Sequence, residues 1–116
     1  MLDGTIWVLE WNENTESLSS ILVDDGEEWG HSWPLDLNIA PNENLFVSFA
    51  VPGMINEYSL KIPQQPEFLR TLPAMSGTHH TLFSKDGKYM YVQNNLPNLD
   101  GLNSGTISVV DLVTGN

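Results

Sequence analysis

The chain has 116 residues and a 41% hydrophobic share, enough for one ordinary domain with a modest core and not the composition of a disordered chain. Its 15 acidic residues against 4 basic ones give a net charge of −11, which repels phosphate backbones and anionic lipid and so excludes electrostatic docking on either. There is no cysteine, which removes disulfides, thiolate metal sites and a cysteine nucleophile together.

In chain order, Gly4–Trp11 (GTIWVLEW) reads as a first strand and Leu18–Val23 as a second. No signal peptide is expected here, because strand-like sequence begins so close to Met1 that the chain is expected to start inside a repeat. The acidic Asp24-Asp25-Gly26-Glu27-Glu28 follows as a connecting turn. Leu37–Ala40, the turn Pro41-Asn42-Glu43-Asn44 and Leu45–Phe49 make a strand–turn–strand. Next come Gly53–Leu60 (GMINEYSL) and Phe68–Leu72. The most apolar stretch, Leu45–Ile55, is short and contains Ser48, Pro52 and Gly53, so no membrane insertion is expected. A second strand–turn–strand is Thr81–Ser84, Lys85-Asp86-Gly87 and Tyr89–Gln93, followed by Gly105–Leu112 (GTISVVDL).

The three Gly-headed runs recur at intervals of 49 and 52 residues, the scale of a repeated sheet module. Leu45-Phe46-Val47 and Tyr89-Met90-Tyr91-Val92 are apolar at consecutive positions, which predicts strands buried on both faces. The pattern predicts an all-β fold: a partial β-propeller of two to three four-stranded antiparallel blades in an open arc. Residues 1–28 form a partial blade, 29–76 a full blade and 77–116 a partial blade. A closed propeller takes at least about four blades, so further blades of a parent chain or other copies are expected to complete it.

His79-His80 opens the innermost strand of the last blade, where propeller side chains face the central channel. Neutral imidazoles bind metal ions or haem iron, so both are candidate metal ligands. Adjacent strand residues point to opposite faces, and one histidine packed between blades is the plainer expectation. Trp29, His31 and Trp33 flank the start of another inner strand and are candidates to line a ligand pocket with the histidine pair. Trp7 and Trp11 share one strand face, where packing between blades is expected. The long loop from Asn94 to Ser104 offers Asn98, Asp100 and Asn103 as ligand contacts, for Ca²⁺ or a glycan, or as turn-forming residues. Clustered carboxylates at Asp24–Glu28 are a weaker cation candidate, since their spacing lacks the alternation of a calcium loop.

TLFSKDGKYMYVQN followed by GTISVVDLVTGN resembles the YVTN β-propeller repeat, F-S-x-D-G-x-x-x-Y-V-x-N and then V-x-V-I-D-x-x-T-G. Phe83, Ser84, Asp86, Gly87, Tyr91, Val92 and Asn94 match the first half, and Ile107, Val109, Asp111, Thr114 and Gly115 the second. The match extends weakly over Trp33–Leu72, where Pro41-Asn42-Glu43-Asn44 replaces the S-x-D-G turn. The resemblance implies a binding or interaction scaffold from a larger exported protein, periplasmic or extracellular, with a protein or small-molecule ligand. It is also similar to propeller enzymes, which implies the alternative of a metal- or haem-dependent redox protein or a lactonase-type hydrolase with His79 or His80 near the channel. Thr78 stands where lactonase-type propellers often carry Arg.

Overall fold

The computed structural model describes residues 3–116; Met1 and Leu2, and with them the expected start inside a repeat, lie outside the described residues. Among these, nine strands follow one another: β1 (Thr5–Asn12), β2 (Ser17–Asp25), β3 (Ser32–Ile39), β4 (Leu45–Val51), β5 (Met54–Ser59), β6 (Glu67–Pro73), β7 (Thr78–Phe83), β8 (Tyr89–Asn94) and β9 (Thr106–Asp111). They pair in chain order into three antiparallel sheets, β1-β2, β3-β4-β5-β6 and β7-β8-β9. A single 3-10 turn, Gly26–Trp29, joins the first sheet to the second, and no helix of the described residues is long and apolar enough to cross a membrane.

The second and third sheets repeat one unit. In β3 the register steps from Pro34 opposite Phe49 to Leu37 opposite Val47 across a bulge, and in β7 from Thr78 opposite Asn94 to Thr81 opposite Val92 across another. Beyond the hairpin, Val47 faces Asn56 as Val92 faces Ser108. The turns agree as well, although their sequences differ. Asn42 Oδ1 accepts the Asn44 N–H at 3.1 Å, and Asp86 Oδ1 accepts the Lys88 N–H at 3.1 Å. Glu43 and Gly87 take left-handed backbone, φ 65° and 70°, and their N–H groups donate to Ala40 and Ser84 at 2.9 Å. What the turn requires is an Asx oxygen followed by a residue at positive φ, and Pro41-Asn42-Glu43-Asn44 supplies both.

Two apolar junctions hold the sheets together. Val47, Phe49 and Tyr58 of the second sheet meet Ile6 and Val23 of the first. Phe46, Ile55 and Leu72, on the opposite face of the second sheet, meet Met90, Val92 and Val110 of the third. Each such side chain contributes about 1.5–3 kcal/mol when fully buried. Strand β4 is thus buried on both faces, as its continuous apolar run predicts. Strand β8 is not: Met90 and Val92 are buried, but Tyr89 and Tyr91 are exposed. The third sheet has a neighbour on one side only, so burial there follows the two-residue period of an ordinary half-covered strand. Trp7 and Trp11, expected to pack between blades, are both exposed, although Trp7 borders a cleft against Pro34–Leu37 and Val47 of the second sheet.

Polar ties cross both junctions. The Tyr58 hydroxyl donates to Asp24 Oδ2 at 2.5 Å and accepts from Asn56 Nδ2 at 3.1 Å, while the Thr71 hydroxyl donates to Asn56 Oδ1 at 2.8 Å. Burial, reinforced by the Asp24 carboxylate, pushes the Tyr58 hydroxyl pKa well above its ordinary value. Asp25 accepts the Glu27 N–H at the start of the 3-10 turn. Asp24 and Asp25, read from sequence as a turn or a cation cluster, therefore hold a sheet junction and cap a turn. Buried Glu57 accepts from Arg70 Nε at 2.6 Å and from Asn44 Nδ2 at 2.7 Å, and Arg70 Nη2 donates to the Leu112 carbonyl at 2.8 Å.

Candidate functional site

Strands β3 and β7 come first in their sheets and lie against each other, so residues before each bulge meet at one rim. Asp36 stands in β3 where His80 stands in β7. Asp36 Oδ2 accepts the Thr81 N–H at 3.1 Å and Asn38 Nδ2 at 3.2 Å, which fixes the carboxylate against the neighbouring strand. Asn38 Nδ2 also donates to the Thr81 carbonyl at 2.9 Å, and the Ser48 hydroxyl to the His79 carbonyl at 2.6 Å. The bulge carbonyl, left out of the β7–β8 ladder, is thereby satisfied by a side chain of the preceding sheet.

The bulge also changes the histidine pair. Strict strand alternation sends His79 and His80 to opposite faces, but the extra residue between Thr78 and Thr81 places their rings side by side, centroids 4.5 Å apart. His79 Nδ1 lies 3.3 Å from the Gly77 carbonyl, and exposed His80 has Nδ1 3.8 Å from Asp36 Oδ2. Beside it a groove of about 440 Å³ runs over Asp36, Asn38, His80, Leu82, Tyr91 and Ile107, polar at the rim and apolar across the sheet face. Its chemistry is that of a recognition surface: one carboxylate, one titratable imidazole and aromatic or aliphatic floor. The two histidines bring one carboxylate with them, and among the described residues no group of three or more His, Asp or Glu is placed to hold a metal ion.

The other sequence candidates lie elsewhere. His31 is buried at the first junction, its ring 5.3 Å from Phe49, with Nδ1 lacking a hydrogen-bond partner. Burial holds its pKa below the ordinary histidine value, and the Asp24 carboxylate opposes that shift without cancelling it. Trp29 is exposed and stacks on Phe68 at 6.1 Å, fastening the 3-10 turn to β6. Trp33 is half-buried at the start of β3 with φ 59°, an unusual conformation for a bulky residue. None of the three lines the groove beside His80.

Asn98, Asp100 and Asn103 are exposed on the loop between β8 and β9. That loop is closed by its own backbone, Leu96 N–H to Leu102 carbonyl at 2.8 Å and Leu102 N–H to Leu99 carbonyl at 3.0 Å. It packs on the turn before β7, where the Ser76 hydroxyl donates to the Gly101 carbonyl at 2.9 Å. Asn98 occupies a left-handed position, φ 67°, which asparagine tolerates well. Asn94, at the root of the loop, is fully buried and bonds Thr78, Thr106 and Ser108, so its role is to hold β7, β8 and β9 in register.

Asp36 is the residue that sequence reading missed. The available signal was positional, since the repeated register gives Asp36 in the first strand of its sheet the place of His80 in the first strand of the next. Comparison with protein-family models, curated proteins and solved structures gives no match to this chain.

Proposed function

We propose that the three sheets are successive blades of a YVTN-like β-propeller and that the chain serves as a binding scaffold within a larger exported assembly. The observation that carries this reading is the shared register of β3-β4-β5 and β7-β8-β9, with bulges and hairpin turns at matching positions. A unit that repeats to the single bulge implies that each inner strand does the same work, presenting a rim to a common axis. In this reading the groove beside His80 and Asp36 receives a protein segment or small molecule, with the imidazole and carboxylate setting orientation.

A second reading has its own observation. The side-by-side rings of His79 and His80 place two imidazoles on one rim, and a ring of blades gathers such groups from several sheets. This is the metal- or haem-dependent propeller enzyme. Titration calorimetry with Zn²⁺ and Cu²⁺ on the wild type and on His79→Ala and His80→Ala separates the two. The scaffold reading expects no stoichiometric metal binding, with His80→Ala altering only ligand affinity. Saturable binding abolished by either substitution favours the enzyme and overturns the scaffold.

A further inference from the structure

We propose that the open face of the third sheet receives the open face of the first sheet of a second copy, joining copies head to tail. The inference deepens the scaffold reading by naming the partner, and it rests on the direction in which the sheets stack.

Each junction uses opposite faces of the repeated unit. The face of the second sheet bearing Phe46 and Ile55 packs on the third sheet's Met90, Val92 and Val110. By register, Val92 corresponds to Val47, which lies on the other face of the second sheet and packs toward the first. The stack is therefore directional. A Phe46-type face always meets a Val47-type face.

The third sheet leaves its Phe46-type face open. Tyr91 and Ile107 occupy the positions of Phe46 and Ile55, yet they are 41% and 69% exposed where their counterparts are 0%. Leu82 and Val109 extend the same open surface. The first sheet leaves the complementary face open. Ile6 and Val23 pack inward, while Leu9 and Trp11 on β1, with Leu18 and Leu22 opposite on β2, stand exposed. All eight exposed side chains are aliphatic or aromatic, and on the third sheet Asp36 and His80 border Leu82, Tyr91 and Ile107. Continuing an interface already present twice in the molecule selects the occupant: a sheet presenting the Val47-type face, which a second copy carries on β1 and β2. The contact is heterologous, each copy using one face of each kind, and so extends to a ring or an open chain.

Sedimentation velocity on the wild type and two variants tests this. Ile107→Glu with Val109→Glu spoils the third-sheet face, and Leu9→Glu with Trp11→Glu the first-sheet face; all four positions are exposed, and circular dichroism checks folding. Should either glutamate variant unfold, the matching serine variants replace it. The wild type is expected to self-associate with concentration, each variant to be monomeric alone, and their equimolar mixture to form a one-to-one dimer and nothing larger. A wild type that stays monomeric at every concentration, a variant that still dimerises alone, or a mixture that fails to pair overturns the proposal. These outcomes concern the end faces only. The arrangement of inner strands within one chain is read by a separate cross-link, so the propeller reading fails or stands independently.

Discussion

At Gly77 the backbone turns with φ 87°, and a Cβ there would lie 1.9 Å from the Leu102 carbonyl oxygen. This contact seats the β8–β9 loop against the strand that carries the histidine pair. Gly77→Ala is expected to destabilise by about 2 kcal/mol or more, because strain and a backbone clash add. Gly87→Ala, at φ 70° but with nothing nearer than 3.6 Å, is expected to cost only about 1 kcal/mol. Urea unfolding of the two variants makes the comparison. His31 gives a second test at this scale. Its folded pKa lies below the ordinary value, so the unfolded chain takes up a proton first as pH falls below about 6.5. Its contribution is present above that pH and is lost as pH falls toward the folded pKa. His31→Leu should flatten the stability profile in that window by up to one proton, about 1.4 kcal/mol per pH unit. An unchanged slope below neutrality means that His31 is not the group responsible.

Among the elements, the strands were readable because each is bounded by glycine, proline or an Asx turn, and the folded strands end within a few residues of those signals. The bulges were not. One extra residue in Pro34–Asp36 or Thr78–Thr81 leaves residue types unchanged while reversing which side chains share a face. That is why sequence alternation separated His79 from His80 and the folded strand brings them together. Asp36 was hidden for a related reason: it is a lone carboxylate until β3 and β7 are laid side by side. His31 suggested a pocket because aromatic residues flank it, and burial at the junction satisfies that pattern instead. The polar ties between sheets left no local signature either. Glu57 and Arg70 are distant in sequence and face each other across β5 and β6. Glu57→Ala strands Arg70 and frees Asn44, and is expected to cost about 2 kcal/mol, below the usual range for a buried pair because Arg70 is about one-third exposed. A loss below about 0.5 kcal/mol in denaturant unfolding would mean that the tie is idle.

For the whole molecule, three sheets in chain order build a slab of 47 × 33 × 22 Å with one covered sheet between two half-covered ones. The high negative charge acts at this scale. Copies that meet through largely apolar faces still repel through the rest of their acidic surfaces, so head-to-tail association is expected to strengthen with added salt. Weakening with salt in sedimentation would instead point to an electrostatic contact. The rim, the groove and the direction of stacking all follow from β3 and β7 lying against each other. The absence of native cysteine allows a clean measurement. Asn38 Nδ2 sits 3.0 Å from Thr81 Oγ1, and an amide nitrogen lies one bond farther from the backbone than a cysteine sulfur, so the paired variant Asn38→Cys with Thr81→Cys should be bridged within one chain by a short bis-thiol reagent while retaining the wild-type circular dichroism. A folded variant whose two thiols are not bridged by that reagent would contradict the packing of β3 against β7.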